Sequence, residues 1–169
     1  QQRGLVIDVA NDPLGTPHAV FGGDPNRGYA TLSLPHGIRR WEFMLLEGED
    51  DALVESDEFL HKLLRDHVAD PSKLEIIRRR VYEHHARIAD RFRDGRVLLA
   101  GDAAHVMPVV AGQGWNSCIR DALNLGWKLT AVVRDLAGQE LLDTYAEERR
   151  DHVKAMVDLS VGMSKVVTN

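Results

Sequence analysis

Apolar and polar positions change their period twice along these 169 residues. Residues 4–10, Gly-Leu-Val-Ile-Asp-Val-Ala, form a β-branched run stopped by Asn11-Asp12-Pro13, which predicts a strand. Residues 14–27 are rich in Gly, Pro and Asp or Asn and predict loop, with one short strand over 18–21. Tyr29–Leu34 and Arg39–Leu46 flank Pro35-His36-Gly37-Ile38, the spacing of an antiparallel hairpin. After an acidic turn at 47–51, a helix is expected over 55–68, with Phe59, Leu60, Leu63, Leu64 and Val68 on one face. Ser56 or Asp57 would cap it, and Asp70-Pro71-Ser72 would stop it. Leu74–Ile88 reads as one long strand.

The second half changes character. Arg96–Ala100 is a short continuous apolar run between Gly95 and Gly101, the pattern of a strand buried on both faces of a parallel sheet. Residues 116–135 show helical periodicity at Ile119, Leu123, Trp127, Thr130 and Val133, which places Trp127 in a core, and Gly138 suits the position just past the helix end. Thr144-Tyr145-Ala146-Glu147 is a capping-box pattern that opens, or lies just inside, a last helix. The expected class is therefore α+β joined to a fragment of α/β.

Composition narrows the chemistry. Lys plus Arg number 21 against 26 Asp plus Glu, so no basic surface for nucleic acid is expected. Arg78-Arg79-Arg80 reads as a solvated strand face. The single cysteine, Cys118, excludes a disulfide framework and a four-cysteine zinc site, and reads as a packing residue. No run of about 18 apolar residues is present, so no membrane span is expected. The chain opens without Met, directly into an apolar run and without a charged-then-apolar leader. It reads as a piece of a longer, cytoplasmic protein. No metal is expected: His84 and His85 would point to opposite strand faces, and Asp102 with His105 lacks a third ligand. His105 is expected to brace the loop that follows Asp102.

The informative stretch runs from Arg96 to Leu129. A strand ends at Gly101-Asp102, and Asp102 offers two carboxylate oxygens to sugar-like hydroxyls at a strand's carboxyl end, where open α/β sheets bind ligands. Gly101, lacking Cβ, would admit a ligand close to the backbone. Gly112-Gln113-Gly114 then delivers the chain to a helix start. Unpaired N–H groups and the positive end of the helix dipole there favour an electron-rich ligand atom.

This pattern, Gly-Asp followed by Gly-Gln-Gly-Trp-Asn, resembles the second flavin-binding motif of the class A FAD-dependent aromatic hydroxylases, those with the para-hydroxybenzoate hydroxylase fold. Within that family, Arg40–Glu49, Val81–Arg87, Leu142–Tyr145 with Glu148–Arg150, and Lys154–Ser160 look like the branch that hydroxylates 3-(3-hydroxyphenyl)propionate. Pro108-Val109 stands where many members read Pro-Pro, while the loop from Asp102 to Asn116 keeps its length.

The resemblance implies an antiparallel substrate-domain sheet over residues 1–90. Residues 91–169 would be a second flavin-contacting segment with one strand and two helices. It implies FAD as cofactor, NADH or NADPH as co-substrate, and dioxygen, one atom of which enters a phenol ortho to its hydroxyl. Gly101, Asp102, Pro108, Gly112, Gln113, Gly114, Trp115 and Asn116 would contact FAD. The Asp102 carboxylate would hold the ribityl chain, and the amides of Gly114, Trp115 and Asn116 the pyrimidine edge. Arg40, Trp41, Glu42, Val109 and Val110 would approach a small aromatic substrate, with resorcinol or a polyketide phenol as alternatives to the phenylpropionate. No side chain need be a nucleophile, and homo-oligomerisation is left open. The Gly-x-Gly-x-x-Gly fingerprint for the ADP half of FAD is absent from these residues. The chain alone is accordingly expected to be inactive and to hold FAD weakly.

Overall fold

The computed structural model describes residues 2–24, 26–110 and 112–168, with the side chains of 166–168 left aside. Pro25, expected in a loop, lies outside the described residues. The chain divides into two compact units, one of residues 1–84 with 167–169 and the other of residues 85–166.

The first unit is a five-stranded antiparallel sheet with helices on one face. Its strands are β1 (Gln2–Val9), β2 (Val20–Gly22), β3 (Tyr29–Leu34), β4 (Ile38–Met44) and β5 (Ile76–His84), in the spatial order β2-β3-β4-β1-β5. The central pairing sets Leu5 opposite Phe43 and Ile7 opposite Trp41. Strand alternation then sends Leu5, Ile7, Val9, Trp41 and Phe43 into one core with Val54, Phe59, Leu60, Leu63 and Leu64. Each such side chain, fully buried, contributes about 1.5–3 kcal/mol. The expected hairpin is β3–β4, with Leu34 opposite Ile38.

Two expectations are corrected here. The helix expected over 55–68 is shorter, α2 (Asp57–Leu64), begun as expected at Ser56, whose hydroxyl takes the Phe59 N–H at 3.3 Å; a separate short helix, α1 (Asp51–Val54), precedes it in the expected acidic turn. The strand over 74–88 ends at His84; Arg87–Ile88 form a separate short strand, β6. Of the arginine triplet, Arg79 pairs with Asp57 at 2.6 Å, and Arg78 approaches Asp8 at 4.0 Å.

The second unit holds β6, β7 (Arg93–Asp94), β8 (Val97–Leu98), β9 (His105–Val106), α3 (Gln113–Val133) and, as far as residue 166, α4 (Asp143–Thr168). Arg96–Ala100 does not form a parallel-sheet strand. Gly95, at φ +58°, turns the chain so that Val97–Leu98 pairs antiparallel with Arg93–Asp94, and Val97 is 64% exposed. Among the described residues no parallel neighbour exists for it.

Helix α3 is also turned the other way from its apolar periodicity. Leu123 is 70% exposed and Trp127 55%, and Ile119, Thr130 and Val133 are exposed too. Its buried stripe is Ser117, Asp121, Leu125 and Lys128. Ion pairs and hydrogen bonds explain this choice: Lys128 Nζ donates to Thr144 Oγ1 at 2.7 Å and pairs with Glu148 at 2.9 Å. A buried polar group is tolerated where it is partnered.

The residue just past α3 is Asp135 and not Gly138. Asp135 adopts φ +56°, its N–H reaches Val132 O at 3.1 Å, and the Leu136 N–H reaches Ala131 O at 2.8 Å, a Schellman motif. Gly138 instead precedes a short 3-10 turn. Thr144 lies one residue inside α4.

Candidate functional site

The Gly101–Asp102 turn is built from behind. Residues 101–103 form a 3-10 turn, closed by the Ala104 N–H on Gly101 O at 2.8 Å. Tyr145 Oη donates to Leu99 O at 2.9 Å, and the Ala89 N–H reaches Ala104 O at 2.8 Å. The Gly101 N–H donates to Oδ2 of Asp121 at 3.0 Å. His105 Nε2 meets the same oxygen at 2.7 Å, and Arg149 Nε donates to Oδ1 at 2.8 Å. His105, Asp121 and Arg149 are all buried. Burial pushes the Asp121 carboxyl up, but the bonds from His105, Arg149 and Gly101 together hold it below the usual carboxylate range. His105 therefore braces the loop as expected, with its Nε2–H donating to an ionised Asp121.

Sequence reasoning missed Asp121. Its signal was its place in the Ser117–Asp121–Leu125–Lys128 stripe, which runs at helical spacing opposite the more conspicuous apolar one.

Asp102, by contrast, is exposed. Cys118 Sγ lies 3.5 Å from its Oδ1, a weak donor that leaves the carboxylate free to accept other hydrogen bonds. Burial, and next the Asp102 carboxylate, push the Cys118 thiol up, so it is a poor nucleophile. The missing Cβ of Gly101 makes room for Cys118, whose Sγ would lie 3.2 Å from it, rather than for a ligand.

Gly112, in the left-handed conformation at φ +61°, precedes α3 without a capping side chain, and its N–H is taken by Val109 O at 2.9 Å. Helix geometry leaves the N–H groups of Gly114 and Trp115 without intrahelical partners. Asn116 is the fourth helical residue, so its N–H enters the ordinary ladder, while its side chain donates to Gly112 O at 3.3 Å. Trp115 is exposed, Gln113 and Val110 are half-buried, Pro108 is buried and Val109 is exposed.

Three further candidates lie in the first unit and do not share a face. Trp41 is fully buried in the core, so it cannot approach a ligand beside Arg40 and Glu42 on the opposite sheet face. Arg40 makes a two-pronged pair with Asp8 at 2.7 and 2.8 Å, so its charge is already balanced. Burial pushes the Glu42 carboxyl up; Arg40 opposes the shift and Asp8 adds to it. Among the described residues, no group of three His, Cys, Asp or Glu side chains gathers as a metal site. Nor is any helix long and apolar enough to cross a membrane.

A family profile described as "FAD binding domain" matches residues 4–160. The chain is 59% identical over 166 residues to a 3-(3-hydroxy-phenyl)propionate/3-hydroxycinnamic acid hydroxylase of Mycolicibacterium smegmatis, covering 98% of this chain and 30% of that protein. It is 56% identical over 163 residues to the hydroxylase of that name from Klebsiella pneumoniae, covering 96% of this chain and 29% of that protein. The chain thus spans less than a third of the length of these relatives. Among solved structures, aklavinone-11 hydroxylase with FAD and aklavinone superposes with a TM-score of 0.89 at 27% identity, covering 99% of this chain and 33% of that one. The p-nitrophenol 4-monooxygenase of Pseudomonas putida superposes with a TM-score of 0.80 at 26% identity, covering 98% and 42% respectively.

Proposed function

Because the chain belongs to the FAD binding domain family, we propose that the complete protein containing it is an FAD-dependent aromatic monooxygenase, with NADH or NADPH as reductant and dioxygen as oxidant. Its substrate is a phenolic acid, 3-(3-hydroxyphenyl)propionate, converted to the 2,3-dihydroxy product. The substrate follows from the 56–59% identical relatives of that name. A cytoplasmic location goes with this reading.

The observation that carries the cofactor assignment is the exposed Asp102 carboxylate on a turn anchored from behind, with the Cys118 thiol 3.5 Å from its Oδ1. A carboxylate so presented fits hydroxyl groups of a polyol chain. The uncapped start of α3 fits an electron-rich ring edge, since backbone donors and the helix dipole stabilise negative charge there. Asp102 and the amides of Gly114 and Trp115 would hold FAD directly, with Gly101, Pro108, Gly112, Gln113 and Asn116 shaping the turn and the helix start around it. When bound, FAD supplies the redox chemistry that activates dioxygen. The protein positions the reactants and excludes water. Val109 and Val110 would approach the substrate; within the first unit, the partly buried Glu42 carboxyl beside the balanced Arg40–Asp8 pair has the chemistry to hydrogen-bond a phenol. Trp41 is withdrawn from this set.

The test is substrate-stimulated NADH and NADPH oxidation by the complete protein across a panel of phenolic acids, resorcinol and polyketide phenols. Stimulation by 3-(3-hydroxyphenyl)propionate with formation of the catechol supports the assignment. Stimulation by another phenol alone overturns the substrate.

A further inference from the structure

Asp102 faces solvent, and its side chain meets only the weak Cys118 thiol donor among the described residues. Its position is set by the turn from Gly101 to His105, and one buried carboxylate grips both ends of that turn. Oδ2 of Asp121 accepts the Gly101 N–H at 3.0 Å and the His105 ring at 2.7 Å, while Oδ1 binds Arg149 of α4 at 2.8 Å. His105 Nδ1 and Arg149 Nη2 are buried without partners among the described residues, so each depends on Asp121 for its orientation.

From this geometry we propose that Asp121 is a positioning residue for the flavin site: it accepts the Gly101 and His105 hydrogens and thereby aims the Asp102 carboxylate at the cofactor's hydroxyl chain. The proposal rests on the FAD assignment above. It adds that the aim of Asp102 is set by an acceptor nineteen positions along the chain, on the buried face of α3. An ion pair that merely stabilised the fold would be replaceable. Buried pairs exchanged together for apolar side chains are often neutral or stabilising, whereas removal of one partner leaves an uncompensated charge. Function and fold can therefore be separated by changing both partners at once.

The experiment measures FAD dissociation constants by flavin fluorescence in the complete protein, alongside thermal unfolding and Gly101 amide exchange without flavin. Asp121→Leu/Arg149→Met removes both charges and the acceptor. It is expected to stay folded, to expose the Gly101 amide to exchange, and to bind FAD about tenfold or more weakly, since misplaced groups lose affinity steeply. Asp121→Asn/Arg149→Gln keeps an oxygen toward Gly101 and His105 and is expected to bind near wild-type strength. In the apolar background, Asp102→Ala should add little further loss, because coupled groups are not additive.

Wild-type affinity in a folded Asp121→Leu/Arg149→Met protein overturns the inference, as does an undiminished effect of Asp102→Ala in that background. Should the apolar pair fail to fold, a folded Asp121→Asn/Arg149→Gln protein with tenfold weaker binding overturns it too. No FAD binding by the wild type overturns the cofactor assignment itself, a distinguishable result.

Discussion

Cys118 Sγ lies 3.5 Å from Oδ1 of Asp102, and the same sulfur occupies the space that a Cβ on Gly101 would enter. Gly101 also has φ +58°, where a Cβ is strained by about 1–2 kcal/mol. Gly101→Ala should therefore lower the denaturant midpoint through two separable effects. Adding Cys118→Ala relieves the contact but not the backbone strain, so the double variant should recover part of the loss. Full recovery, or none, would contradict this geometry.

The thiol itself reports on Asp102. Burial and the neighbouring carboxylate both push it up, so alkylation near neutral pH should be slow. Asp102→Asn removes the charge and should shift the pH profile of alkylation to lower pH. An unchanged profile would show that the two groups do not interact.

Two carboxyls of the first unit should shift stability in opposite senses with pH. The bond from Arg39 chiefly holds Asp12 below its ordinary value, against its burial. Asp12 thus stabilises the fold fully above the unfolded value of about 3.9, and this contribution is lost as pH falls through the lower folded value. Asp12→Ala, which strands the fully buried Arg39, should lower stability at pH 7 by about 3–5 kcal/mol. Glu42 is raised by burial, so its favourable contribution is present below the unfolded value and is lost as pH rises through the folded one. Glu42→Gln should therefore raise stability at pH 7. Urea unfolding from pH 3 to 8 checks both signs.

Leu123 and Leu125 separate the two ways of reading α3. Apolar periodicity puts Leu123 inward, but it is exposed, and Leu125 is buried with Phe92, Leu142 and Tyr145. Leu123→Ser should change stability by less than about 0.5 kcal/mol. Leu125→Ala should lower it by about 2–5 kcal/mol. The reverse order in chemical unfolding would mean that α3 is turned the other way.

That contrast also marks what was legible in the sequence. The sheet of the first unit was readable, because β-branched and aromatic runs are punctuated by turn residues such as Asn11-Asp12-Pro13 and Pro35-His36-Gly37. Residues 96–129 pointed to a candidate site, since Asp102 and the glycines at the start of α3 stand at fixed spacing. Helix α3 was misread because hydrophobicity was taken as the measure of burial, while Asp121 and Lys128 are buried by ion pairing with Arg149 and Glu148. Pairings across 20 to 28 residues leave no local trace. Val97–Leu98 misled for a related reason: an apolar run signals burial but does not specify its partner strand.

The most direct test of the account is an FAD titration of the complete protein, wild type against Asp102→Ala, read by quenching of flavin fluorescence. The account expects stoichiometric binding by the wild type and a clear loss of affinity in the variant, at unchanged thermal stability. No binding by the wild type, or equal affinity in the two, would contradict it.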